Sequence, residues 1–131
     1  MATPEKSLER YAEPTIVGPG LWYEIHHKAH QATTKEAKIE FKRYMQELAD
    51  GRMLCNTCRP HLEEYLRKNP IDVDLVLLNK EGQDITMFKY SWKFHNDVNA
   101  RLGKPFMPFD TAWKFFHHPE ACSTTCGRTA H

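Results

Sequence analysis

No run of this 131-residue sequence is apolar for the roughly 18–20 residues that a membrane-spanning helix requires. Neither sign of charge is in excess: 18 basic and 17 acidic residues leave a net charge of +1. The first absence predicts no membrane anchor. The second predicts neither a nucleic-acid footprint nor an acidic solvating tail. The opening stretch "MATPEKSLERYAEP" is polar and of mixed charge, which is unlike a secretory signal. Internal repeats and low-complexity segments are missing too. Cysteine is sparse, with four residues in two close pairs, Cys55/Cys58 and Cys122/Cys126. That is too few for a disulfide scaffold. In a reducing compartment such pairs serve catalysis, redox sensing or metal binding more often than structure.

What is present fits a single soluble domain, with 40% hydrophobic and 27% charged residues. Periodicity predicts an all-α chain. A first helix follows "VGPG", with Pro19 in its first turn and Leu21, Trp22, Ile25 and Ala29 at helical spacing. Trp22, His26 and His30 share one of its faces. A second helix is expected through "ATTKEAKIEFKRYMQELADG", capped by Thr33 or Thr34 and ended by Gly51. A third, through "HLEEYLRKNP", stops before Pro70. The segment "IDVDLVLLNKEGQDI" reads either as a small hairpin or as an irregular connection; a strand would have few partners here, so a connection is expected. The fourth helix starts near Met87 and carries Phe88, Trp92, His95, Asn99 and Leu102, before Gly103 and Pro105 stop it. A short fifth helix lies around 111–117. The expected organisation is an N-terminal segment 1–17, a domain 18–118 and a tail 119–131.

Chemistry concentrates first in "MLCNTCRPH". Asn56 or Thr57 caps the third helix and Pro60 falls in its first turn, which puts Cys58 at or beside a helix N-terminus. Backbone N–H groups and the positive end of the helix dipole stabilise a thiolate there, with Arg59 and His61 nearby. Zinc ligation is the competing reading, but the usual arrangement has a second cysteine pair within about 12–20 residues. Here the next cysteine is Cys122. A thioredoxin-like site would need a preceding strand, and the sequence before Cys55 is helical. In "WKFHNDVNARLGKP", His95 and Asn99 sit one turn apart in an otherwise apolar stripe, where polar groups need partners. Most histidines in such a place are satisfied core or surface residues. Two helices that each offer an aromatic and a hydrogen-bonding group nevertheless suggest a cleft for a flat heteroaromatic ligand, which these residues alone do not name.

The order "GPGLWYEIH", "CNTC", "HNDVNARLGKP" resembles the Erv/ALR family of FAD-linked sulfhydryl oxidases over about Gly18 to Pro105. The resemblance implies a four-helix bundle with a short fifth helix, FAD at the bundle mouth, and a homodimer. It implies that Gly18, Trp22 and His26 line the FAD site from the first helix. His95, Asn96, Val98, Asn99, Leu102 and Lys104 would line it from the fourth, with Trp113 a weaker candidate beside adenine. Cys58 would face the flavin and Cys55 would receive electrons from a protein dithiol. Dioxygen would leave as hydrogen peroxide, and Cys122 and Cys126 would form a shuttle pair. No resident metal is implied. The chain's compactness resembles short viral and mitochondrial members, which implies host cytoplasm or virion, or else the mitochondrial intermembrane space.

Two features depart from the family pattern. Lys93 stands where many members have histidine, and no cysteine is available for the disulfide that often fastens the fifth helix. Tyr90, Phe106, Phe109, Trp113, Phe115 and Phe116 are expected to replace that fastening by packing, or to make dimer contacts. The length around Asp72 to Gln83 has no functional explanation at this level. The competing reading is a small zinc-binding interaction module built from Cys55, Cys58, His61 and the C-terminal pair with His117, His118 or His131.

Overall fold

A computed structural model describes the backbone of residues 14–52 and 58–117, and the side chains of 20–51 and 58–116. Cys55, Cys122 and Cys126, with the tail histidines, lie outside these side chains, and so do Gly18 and His117. The described chain forms five α-helices: α1 Pro14–Gln31, α2 Lys35–Glu47, α3 Cys58–Lys68, α4 Thr86–Arg101 and α5 Phe109–His117. A π-helical turn, Leu48–Arg52, extends α2. The all-α expectation holds, and among the described residues the only sheet-like pairing is one isolated antiparallel bridge between Leu78 and Asp84.

Helix boundaries follow local chemistry. Thr34 caps α2, its hydroxyl accepting from Ala37 N at 3.1 Å. Gly51, at φ 143°, kinks the π-turn in a backbone conformation that other residues resist. The start of α1 differs from expectation: the helix begins at Pro14 and continues through Gly18 and Pro19. Both prolines suit a first turn, where no amide donor is missed, and the more N-terminal one takes that place.

Helix α1 packs against α2, α4 and α5, so it is the central element. Ile25 and Ala29 from α1, Phe41 and Met45 from α2, Leu62 from α3, and Met87, Phe88 and Phe94 from α4 fill the core. The connection 71–85 is irregular, as expected, but it is well fastened. Buried Lys38, 2% exposed, reaches across from α2. Its ammonium pairs with the Asp84 carboxylate at 2.5 Å and donates to Leu75 O at 3.0 Å. Asp84 Oδ1 also accepts from Thr86 N at 2.9 Å and from its hydroxyl at 2.6 Å, at the first residue of α4. Burial drives the Asp84 carboxyl up, but hydrogen bonds from Lys38 and Thr86 outweigh it and hold the group below the usual carboxylate range.

The fastening of α5 is partly aromatic, as expected. Phe109 meets Trp92 edge-on at 5.5 Å and Phe88 at 5.8 Å. Phe88 also contacts Trp113 and Phe116. Tyr90 serves a different junction, against Tyr65, with its hydroxyl donating to Asn69 O at 2.6 Å.

Candidate functional site

Where α1 crosses α4, the Trp22 and His95 rings lie parallel, 3.8 Å between centroids and 4° between planes. The shared face of Trp22, His26 and His30 is borne out. Trp22 stacks on His26 at 5.8 Å, and both His26 and His30 contact Phe88. His30 also lies 4.8 Å from Trp113, so this face continues to α5.

Polar groups inside this aromatic set are paired. His26 is 1% exposed. Its Nε2 lies 2.8 Å from His95 Nδ1, and its Nδ1 lies 2.9 Å from Ser91 Oγ. The Ser91 hydroxyl in turn donates to Phe88 O at 2.7 Å. Burial first, and then the adjacent His95, bring the His26 ring down to about 3. Burial and the nearby Lys104 charge bring His95 down to about 4. Both imidazoles are therefore neutral at physiological pH, because an imidazolium here would lose hydration without gaining a counter-ion.

The other predicted residues of α4 and of the turn after it differ in burial and bonding. Asn99 is nearly buried at 9% exposure, Val98 is half-buried, and Leu102 and Lys104 are exposed. Gly103, at φ 71°, turns the chain after α4, and Lys104 N donates to Asn99 O at 2.8 Å. Asn96 works as a clasp. Its amide accepts from Met107 N at 2.8 Å and donates to Met107 O at 3.0 Å. Trp92 Nε1 donates to the same carbonyl at 2.6 Å. The segment after Lys104 is thus held to α4 by hydrogen bonds as well as by aromatic packing.

Cys58 is the first residue of α3 and is disulfide-bonded. It is half-buried and packs against the core. Cys58, Leu62 and Tyr65 recur at i, i+4 and i+7 on one face of α3. Tyr65 meets Phe94 at 5.0 Å, and Phe94 meets Trp22 at 5.2 Å. The cysteine-bearing face of α3 and the Trp22–His95 stack are therefore joined through one aromatic cluster. Arg59, beside Cys58, has its guanidinium against Gly51, where an added Cβ would stand 3.6 Å from it.

The donor set suits a flat heteroaromatic group with an anionic part. It offers a stacked Trp/His platform, a neutral imidazole pair, a nearly buried amide at Asn99 and an exposed cation at Lys104. Among the described residues, no group of three or more His, Cys, Asp or Glu side chains is arranged to hold a metal. The zinc reading's Cys55 and C-terminal residues lie outside the described side chains. Sequence reasoning missed Ser91, whose small hydroxyl leaves no periodic signal within an apolar stripe. It also missed Phe94, which links α3 to Trp22.

The sequence matches the Erv1 / Alr family over residues 19–119. It is 34% identical over 91 residues to the FAD-linked sulfhydryl oxidase of African swine fever virus, covering 66% of this chain and 68% of the relative. It is 28% identical over 108 residues to protein 347L of Invertebrate iridescent virus 6, covering 79% of this chain and 96% of that one. Protein 096R of Invertebrate iridescent virus 3 is 26% identical over 119 residues, covering 86% and 76%. Both iridescent-virus proteins are assigned as FAD-linked sulfhydryl oxidases. No solved structure shows significant similarity. With its motifs in family order on a bundle of helices and a matched span that takes in most of its length, the chain belongs to the Erv1 / Alr family.

Proposed function

We propose that this protein is a FAD-dependent sulfhydryl oxidase that converts protein dithiols to disulfides and passes the two electrons to dioxygen. The observation that carries the reading is the Trp22–His95 stack joined, through Phe94 and Tyr65, to the face of α3 that begins with disulfide-bonded Cys58. The family and the names of its relatives support both cofactor and reaction. The balance is one dithiol plus dioxygen giving one disulfide plus hydrogen peroxide.

In this reading Cys58 pairs with Cys55. A substrate thiolate attacks Cys55, because Cys58 is half-buried at the helix end. The Cys55–Cys58 bond breaks and Cys58 leaves as a thiolate, stabilised by the N-terminal amides of α3. The second substrate thiol attacks the mixed disulfide, releasing the substrate as a disulfide and Cys55 as a thiol. Flavin, when bound, accepts the electron pair from the reduced cysteine pair and delivers it to dioxygen. Trp22 and His95 hold the cofactor by stacking, Asn99 by its amide, and Lys104 by charge. Gly18, His26, Val98, Leu102 and Trp113 shape the same pocket, and Asn96 supports it by clasping Met107. Cys122 and Cys126 act as a shuttle pair on the tail.

The family resemblance and apolar side chains such as Tyr23 and Ile39, 39% and 40% exposed, support a homodimer. No described helix is long and apolar enough to cross a membrane. Relatives from three viruses support host cytoplasm or the virion as the place of action, with the mitochondrial intermembrane space as the alternative. Purified protein is expected to be yellow, with an oxidised-flavin spectrum bleached by dithiothreitol under nitrogen and restored by air. A colourless, zinc-loaded protein refutes the reading in favour of a zinc module.

A further inference from the structure

Ser91 is fully buried, and its single hydroxyl proton decides the protonation of two histidines. The hydroxyl oxygen lies 2.7 Å from Phe88 O and 2.9 Å from His26 Nδ1, and His26 Nε2 lies 2.8 Å from His95 Nδ1. With neutral rings, two proton arrangements satisfy the histidine pair. In the first, Ser91 donates to Phe88 O, His26 Nδ1–H donates to Ser91, and His95 Nδ1–H donates to His26 Nε2. That makes three hydrogen bonds. In the second, Ser91 donates to His26 Nδ1 and His26 Nε2–H donates to His95 Nδ1. That makes two, and it leaves two oxygens 2.7 Å apart with no proton between them. Such a contact between lone pairs is repulsive, and burial removes the water that would relieve it. The first arrangement is therefore favoured by one bond gained and one repulsion avoided.

We infer that Ser91 is a positioning residue: it fixes His26, and through it His95, as Nδ1–H tautomers, so that His95 Nε2 presents a lone pair to a hydrogen-bond donor of the bound flavin cofactor. The flavin part of this inference rests on the function proposed above. Among the described residues His95 Nε2 makes no protein hydrogen bond, whereas its Nδ1 is committed to His26. Stacking on Trp22 at 3.8 Å holds the ring plane, so the direction of that lone pair is held as well. An imidazole in this state accepts an amide or amino N–H, or a sugar hydroxyl, and it repels a phosphate oxygen. The anionic part of the ligand is then left to Lys104, exposed and close enough for its charge to act on His95.

The test is nitrogen NMR of the flavin-loaded protein labelled at histidine, which distinguishes protonated from unprotonated ring nitrogens. The expected result is Nδ1 protonated and Nε2 unprotonated at both His26 and His95. A proton on Nε2 of either ring overturns the inference, and this measurement needs no variant. Ser91→Ala removes the acceptor for His26 Nδ1–H, and the expected outcome is mixed tautomers with about tenfold weaker FAD binding. Ser91→Cys, with a weak acceptor, should fall between the two. Unchanged tautomers together with unchanged affinity in Ser91→Ala overturn the positioning role. Wild-type protein that carries the assigned tautomers but takes up no FAD overturns the flavin reading and the role of Nε2, while the Ser91 assignment stands.

Discussion

Trp22 and His95, from helices far apart in sequence, stack face to face at 3.8 Å with planes 4° apart. The pairing joins α1 to α4, where His26 adds two polar contacts, to Ser91 Oγ at 2.9 Å and to His95 Nδ1 at 2.8 Å. An aromatic pair of this kind contributes roughly 0.5–1.5 kcal/mol beyond its buried area. A ligand ring that joins the stack draws on the same dispersion contacts. Trp22→Ala is therefore expected to lower flavin retention by about tenfold, with Trp22→Phe retaining most of it. The ratio of flavin absorbance to protein after gel filtration measures this, and a full complement in Trp22→Ala would refute the role.

The buried histidines make stability depend on pH. His26 and His95 have ring pKa values of about 3 and about 4 in the folded chain, below the usual imidazole value. Between that usual value, roughly 6.5, and the folded values, the unfolded chain binds protons that the folded chain refuses. Stability is thus fully present above about pH 7 and falls as pH drops. Each unit costs at most about 1.4 kcal/mol per histidine, or roughly 2–4 kcal/mol for the pair by pH 5. Asp84, held below the carboxylate range, stays ionised in this window and does not contribute to the slope. Urea midpoints at pH 7 and pH 5 measure the effect, and His26→Gln should flatten it. Equal midpoints in the unsubstituted protein would sink the argument.

Much of this arrangement was legible in the sequence. The Thr34 cap, the Gly51 and Gly103 turns and the buried α4 positions Phe88 and Asn99 follow from local backbone chemistry and helical spacing. Leu102, expected on the same stripe, instead lies past the end of α4 and is exposed. The common face of Trp22, His26 and His30 follows from helical spacing alone. The start of α1 was not legible, because Pro14 and Pro19 satisfy the same rule. Lys38 was not legible either. A lysine in "TKEAKIEF" reads as solvent-facing, and its counter-ion comes from another element. Asn96 illustrates a different limit: its motif suggests cofactor contact, and nothing in that motif announces that its amide also holds the Met107 peptide.

Lys38 gives the connection 71–85 a mechanical role. Its ammonium is almost completely buried, so its removal leaves the Asp84 carboxylate without its counter-ion. Breaking one side of such a pair costs about 3–5 kcal/mol, far above the value of an exposed ion pair. Lys38→Met is expected to destabilise the fold by that amount. Adding Asp84→Asn should recover part of the loss, since an amide oxygen still accepts from Thr86 N and carries no charge. Denaturant melts of the two singles and the double close the cycle. A single Lys38→Met cost under about 1 kcal/mol would show that the pair is not desolvated.

The four cysteines are expected to separate in function by position. Cys58 stands at the head of α3, on the face that leads to Phe94 and Trp22, and is the sulfur proposed to pass electrons to the flavin. Cys58→Ser should abolish oxygen consumption with dithiothreitol and leave flavin bound, because the side chains assigned to hold it come from α1, α4, the turn after α4, and α5. Retained turnover would remove Cys58 from the electron path. Cys122 and Cys126 are not needed for a small dithiol that reaches Cys55 directly. Replacing both with serine should leave dithiothreitol oxidation within about twofold, a difference near 0.4 kcal/mol. Oxidation of a reduced protein substrate should slow by tenfold or more, about 1.4 kcal/mol. An equal loss with both substrates would mark the pair as structural, since a tail that pins the fold affects every substrate alike.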